Sequence, residues 1–219
     1  NKKTGQPEGA DTMIFLTEGQ SAGGTLGLAR DTMNQAVFFL KGKPLNTCGL
    51  NKDVLYRNEE FFNLIKTLDI EETLDHLRYG RIIFATDADV DGLHIRMLLT
   101  TFFMRFYRQL ITDGRVFILE TPLFRVRNKK EHYFCYTDEE RETAIRKCGK
   151  GCEITRFKGL GEIDKDDFKG FIGDEIRLTP VTCGDDTDVE KTIKFYMGGN
   201  TPERKDYIMD SLVCDASEF

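Results

Sequence analysis

The sequence predicts an α/β protein: a mainly parallel sheet flanked by helices, followed by a smaller α+β region. Short apolar runs alternate with segments of helical periodicity from residue 12 to about residue 121. Two of those runs, in "FLTEG" and "FATDADVDG", end in acidic residues, as strands do where they deliver polar groups to one edge of a parallel sheet. Beyond Pro122 the alternation gives way to paired short strands.

Residues 12–19, "TMIFLTEG", form a buried strand that stops at Glu18-Gly19. The Gly-rich stretch "SAGGTLGLARD" (21–31) then reads as a helix with Ser21 as a possible cap. "AVFFL" (36–40) is a second strand, closed by "KGKPLNT". In 58–70, Phe61, Phe62, Leu64, Ile65 and Leu68 recur at helical spacing behind two acids. "RIIFAT" (81–86) is a third buried strand, 93–112 a long helix ended by Gly114, and "RVFILET" (115–121) a fourth strand. Residues 121–137 read as a hairpin around "NKK". Residues 138–149 read as a helix that begins with acids and ends with bases, as the helix dipole favours. Strands at 152–157 and 176–183 and helices at 164–172, 187–197 and 201–213 complete the chain. The expected organisation is a polar lead of residues 1–11, a first unit at 12–122 and a second at 123–219.

The 219 residues suffice for one domain or two small ones, and 40% hydrophobic with 31% charged residues is the composition of a globular protein. No apolar run approaches the ~20 residues of a membrane span. "NKKTGQPEGADT" lacks an initiator Met and a signal core, and reads as a cut into a longer polypeptide. A net charge of −6 argues against a free-standing nucleic-acid binder, although 121–158 is locally basic. Cys48, Cys135, Cys148, Cys152, Cys183 and Cys214 form no CxxC pair, which suits reduced thiols in a cytoplasmic setting. His132, Cys135, Cys148 and Cys152 imitate a zinc pattern, but ordinary packed cysteines are the stronger reading.

Asp87, Asp89 and Asp91 follow the third strand at every second position. At an effective dielectric of ~20, two like charges ~4 Å apart cost roughly 4 kcal/mol, so the run calls for a positive partner. In a parallel sheet, Glu18 and Asp87 fall at the same edge. Such carboxylates suit Mg²⁺, which typically keeps one or two of them beside water and phosphate. A simpler alternative is that one aspartate caps the next helix while the others are solvated. An EF-hand would need an acid twelve residues into the loop, and Leu98 stands there. An aspartate-nucleophile phosphatase would use Asp87 and Asp89 but leaves Glu18 idle.

Four blocks in order, "FLTEGQSAGG", "KGKPLN", "TDADVDGLHIRMLLTTFFMR" and "RFKGLGE", closely resemble the B subunit of bacterial type IIA DNA topoisomerases, DNA gyrase and topoisomerase IV. The resemblance spans the Rossmann-like toprim domain and the C-terminal tail of that subunit. It implies that Glu18 and Asp87 hold one Mg²⁺ and Asp87 with Asp89 a second when DNA is bound. Mn²⁺ or Ca²⁺ could substitute, and Asp91 is a supporting ligand. It also implies that Glu18 serves as general acid while a tyrosine of a separate A subunit attacks double-stranded DNA. The full enzyme would be an ATP-dependent heterotetramer of two A and two B subunits.

By the same resemblance, Lys43 and Asn46, with Lys41 nearby, would touch the DNA backbone, joined by His94, Arg156 and Lys158. Without it, Lys41 and Lys43 are two solvated lysines around a turn glycine. The sequence departs from the family's E-G-D-S-A string at Gln20, which cannot neutralise a metal, and has Leu93 where serine is common. The Gln20 variant leans toward topoisomerase IV over gyrase. No G-x-x-x-x-G-K-[ST] string occurs, so no ATP site is expected in these residues, nor a membrane partner. The competing functions are another toprim enzyme such as a nuclease or primase, an aspartate phosphatase, and a non-catalytic module stabilised by metal.

Overall fold

The computed structural model describes residues 9, 11–184 and 186–212, excepting the side chains of 20–22, 186 and 187. Its main sheet has five strands. β1 (Met13–Glu18) lies between β2 (Gln35–Leu40) and β3 (Arg81–Ala85), followed by β4 (Val116–Leu119) and β8 (Leu178–Pro180). The first three pairings are parallel, and β8 adds antiparallel to β4. A second, antiparallel sheet places β5 (Phe124–Arg127) between β6 (His132–Cys135) and β7 (Glu153–Arg156).

The helices are α1 (Gly19–Ala29), α2 (Lys52–Arg57), α3 (Glu59–Leu68), α4 (Val90–Phe106), α5 (Arg108–Thr112), α6 (Asp138–Cys148), α7 (Lys165–Phe171), α8 (Asp186–Met197) and α9 (Thr201–Ser211), with a 3₁₀ turn at Leu160–Glu162.

Both faces of the main sheet are covered, which is why its strands read as unbroken apolar runs. Ile14, Leu16, Ile82 and Phe84 face the core built with α3 and α4. The alternate residues Met13, Phe15, Ile83 and Ala85 face α1 together with Phe157, Leu160 and Phe168 from the second half of the chain. α1 and α4 lie on opposite faces because the crossovers β1–α1–β2 and β3–α4–β4 run outward in opposite directions, each right-handed. The chain direction across the sheet therefore reverses between β1 and β3. At such a reversal the carboxyl ends of the strands open a crevice. The register sets Glu18 opposite Leu40 and Thr17 opposite Ala85, so Glu18, the turn carrying Lys43 and the loop carrying Asp87 all leave the sheet at this edge.

Several details differ from the sequence reading. The long helix begins at Val90 instead of 93, because Asp89 caps it by accepting from the Gly92 N–H at 2.8 Å. It also breaks at Tyr107 (φ −140°, ψ 43°), whose buried ring packs 5.4 Å from Phe102. α2 is an additional helix, capped by Asn51 on the Val54 N–H at 3.0 Å. The strand expected at 176–183 is shorter and extends the main sheet.

Cys135 and Cys148 are buried with Phe124, Val126 and Ala144 between the second sheet and α6, as packed cysteines should be. Cys214 lies outside the described residues. Among those that are described, no helix is long and apolar enough to cross a membrane.

Candidate functional site

The crevice at the sheet reversal gathers the acids that the sequence singled out. Glu18 ends β1 with one carboxylate oxygen, Oε2, buried and without a hydrogen-bond partner. Burial and the nearby charges of Asp87, Asp89 and Asp91 push its carboxyl above the usual range, and Lys43 opposes them. An unpartnered buried carboxylate oxygen is costly unless a proton or a cation reaches it.

The three aspartates are each held differently. Asp87 Oδ1 accepts the main-chain N–H of Leu160 at 2.7 Å, across 73 residues of chain. Asp89 Oδ1 is committed to the helix cap. Asp91, in the first turn of α4, pairs with Lys43 Nζ at 2.7 Å. That pairing pulls the Asp91 carboxyl down and pushes the Lys43 ammonium up.

The loop between β3 and α4 is fixed from beneath. Thr86 is fully buried and donates to Gly92 O at 3.2 Å. Arg96 reaches back from α4 to Thr86 Oγ1 (2.7 Å), Thr86 O (3.0 Å) and Asp87 O (3.3 Å). Burial lowers the Arg96 guanidinium, an effect that Asp87 partly offsets. Gly92 is required here, since a Cβ would overlap the Asp87 carbonyl.

Among the described residues, no three His, Cys, Asp or Glu side chains form a group able to hold a metal ion by themselves. A complete protein cage is therefore not what this crevice offers. Its donors, Glu18 with its orphaned oxygen and Asp87 with one oxygen still unbonded to Leu160, fit a hard cation that completes its shell with water and phosphate.

The family model for the Toprim domain matches residues 13–121. Residues 13–121 of the chain therefore carry a Toprim domain. The chain is 52% identical over 203 residues to the DNA topoisomerase 4 B subunit of Borreliella burgdorferi, an alignment covering 92% of this chain and 34% of that protein. To the DNA gyrase B subunit of Thermotoga maritima it is 39% identical, covering 90% of this chain and 32% of the relative. The fold matches the crystal structure of the DNA-binding, cleavage and re-ligation domain of Plasmodium falciparum topoisomerase II with a TM-score of 0.77 and 25% identity. That match covers 95% of this chain and 30% of the other. The chain thus spans about a third of the length of these relatives.

The basic residues predicted for this Toprim site separate into two groups. Lys43 lies within the acidic crevice, and exposed His94 acts electrostatically on Asp91 from the next part of α4. Lys41 is turned to α3: its N–H donates to Glu60 Oε1 at 2.5 Å and its Nζ pairs with Glu59 at 2.9 Å. Asn46 donates to Met197 O at 2.8 Å and accepts from Cys48 N–H at 3.0 Å. Arg156 sits over the Phe124 ring at 5.9 Å, and Lys158 is exposed with its N–H on Glu162 Oε2 at 2.9 Å. The Gln20 side chain lies outside the described residues.

Two contributors escaped the sequence reading: Arg96, and the peptide Gly159–Leu160. The "RFKGLGE" block signalled the second, but as a phosphate-facing turn and not as a neighbour of Asp87.

Proposed function

We propose that this chain supplies the Mg²⁺-dependent half of the DNA cleavage and religation site of a type IIA topoisomerase, as the Toprim and tail part of its B subunit. The observation that carries the reading is the buried, unpartnered Oε2 of Glu18 among Asp87, Asp89 and Asp91 at the sheet reversal. The homology to topoisomerase 4 and gyrase B subunits supports it.

Glu18 and Asp87 would hold one cation, and Asp87 with the second oxygen of Asp89 another once DNA is present. When bound, such a cation neutralises charge on the non-bridging and leaving oxygens of a phosphodiester. This chain holds no assigned nucleophile; a tyrosine hydroxyl of an A subunit would attack phosphorus, lose its proton to solvent and displace the 3′-oxygen. Glu18, whose carboxyl is pushed above its usual range by burial and the neighbouring aspartates, would give a proton to that oxygen and recover it on religation. Lys43, with exposed Lys158 and Arg156, would position the backbone without reading bases. Asp91 would keep Lys43 oriented and serve as an alternate ligand. In the whole enzyme, cytoplasmic and assembled from two A and two B subunits, ATP hydrolysis elsewhere would drive strand passage.

A Mn²⁺ titration of the chain by electron paramagnetic resonance, with Glu18→Gln and Asp87→Asn beside the wild type, tests the composite site. Both substitutions should weaken the same site by at least tenfold. Loss with Asp87→Asn alone would assign the metal to the aspartate loop and remove Glu18 from it.

A further inference from the structure

We propose that the Gly159–Leu160 peptide, carried by the second half of the chain, is the positioning device that orients the Asp87 carboxylate for metal binding. The inference rests on the metal-centre reading above and deepens it.

A carboxylate on a short stem turns readily, because its terminal torsion has broad wells. Asp87 is denied that freedom on two sides. The Leu160 N–H holds Oδ1 at 2.7 Å. The Gly159 Cα backs the other oxygen so closely that a Cβ there would lie 2.7 Å from Oδ2 and 3.0 Å from Cγ. Oδ1 is thereby satisfied by protein, and Oδ2 is the oxygen left for a cation.

The strap cannot drift, because it is embedded at both ends. Phe157, Leu160 and Ile163 are buried under the sheet face formed by Phe15, Ile83 and Ala85. Within the loop, Glu162 closes a turn onto the Lys158 N–H at 2.9 Å, and the Glu162 N–H onto Gly159 O at 3.2 Å. Just beyond it, buried Arg125 on β5 pairs with Asp167 and reaches Asp164 at 3.8 Å, tying α7 to the second sheet. The second half of the chain thus acts as an orienting support for a ligand of the first.

The backbone permits a clean test. Gly159 has φ −155°, ψ 167°, open to any residue and favoured before proline, so Gly159→Ala adds only the crowding methyl. Leu160 opens the 3₁₀ turn, where proline is tolerated. Leu160→Pro removes the donor, and Leu160→Ala loses the same buried side chain but keeps it. Mn²⁺ affinity by electron paramagnetic resonance is measured on these variants, with Asp87→Asn and melting temperatures alongside.

At the site that Asp87→Asn abolishes, Gly159→Ala should weaken Mn²⁺ about tenfold or more, the scale of groups that orient a ligand. Leu160→Pro should bind at least tenfold more weakly than Leu160→Ala. If Gly159→Ala binds as the wild type does, and Leu160→Pro as Leu160→Ala does, the strap has no positioning role. Should Leu160→Pro fail to fold, the Gly159→Ala comparison decides alone. Mn²⁺ binding that Asp87→Asn leaves unchanged would overturn the metal-centre reading itself, and this proposal with it.

Discussion

Lys43 Nζ lies 2.7 Å from Asp91 Oδ1 and places a cation of this chain within the acidic crevice. Both side chains are about half exposed (48% and 60%), so the pair adds little to folding. Its effect is on the charge of the site, because Lys43 counters the repulsion that Glu18 feels from three aspartates. Lys43→Gln should leave the melting temperature unchanged and tighten Mn²⁺ binding to the DNA-free chain several-fold. If Lys43 also contacts DNA, the same substitution lowers the slope of log affinity against log salt by about one in the assembled enzyme. Weaker Mn²⁺ binding by Lys43→Gln would instead make Lys43 an orienting group for Asp91.

Gly92 marks the closest approach in the site. A Cβ at this position would overlap the Asp87 carbonyl, and neither partner can yield, since both contacts are backbone. Gly92→Ala should therefore lift the first turn of α4 from the loop below it, breaking the Thr86–Gly92 bond. Overpacking of this kind costs about 1–3 kcal/mol, or roughly 2–12 °C in a chain of this length. Thermal melts should show that loss, and Mn²⁺ titration a matching loss of affinity. A stable variant with normal Mn²⁺ binding would show that the loop tolerates a shift.

The parallel sheet and the meeting of Glu18 with Asp87 were legible in the sequence for one physical reason. A strand buried on both faces is a continuous apolar run, and parallel register brings the acids after two such runs to one edge. What the side chains do there was less visible. Asp89 has the spacing of a ligand and also of a helix cap, and only the bond to Gly92 N–H separates the two. The Leu160 donor is a main-chain group with no side-chain signature, brought from far along the chain. Asn46 sits in a block expected to touch DNA, and its tie to the end of α8 has no signature in the sequence. Three-residue β8 carries too little pattern to announce that it joins β4.

Arg96 forms the floor of the site. It makes three bonds, to Thr86 Oγ1, Thr86 O and Asp87 O, from one planar fork. A lysine presents a single point of charge and cannot reproduce that fork. Arg96→Met removes the donors to the buried Thr86 hydroxyl and carbonyl, at about 1–3 kcal/mol, and frees the Asp87 backbone. Both Arg96→Met and Arg96→Lys should lower the melting temperature and weaken Mn²⁺ binding, with lysine giving only partial rescue. Full rescue by lysine would reduce Arg96 to a charge near Asp87.

Acid stability should depend on the link between α6 and the β8 region. Glu140 Oε1 accepts from Arg177 Nη1 at 2.7 Å, and Arg177 lies 3.9 Å from the Tyr136 ring centroid. Burial raises the Glu140 carboxyl, but Arg177 and the Tyr136 N–H outweigh it and the net shift is downward. A carboxyl lowered in the folded state stabilises above its unfolded pKa, near 4.5, and loses that contribution as pH falls through the folded value. The pair is more than a third exposed, so solvent limits its worth to about 1 kcal/mol at most, or no more than about 4 °C. Glu140→Gln should therefore melt a few degrees below the wild type at pH 7, and the gap should close as pH falls through the folded value of Glu140. A difference that does not shrink at all as the wild type is acidified would assign the loss to packing of the altered side chain, with no contribution from the ion pair.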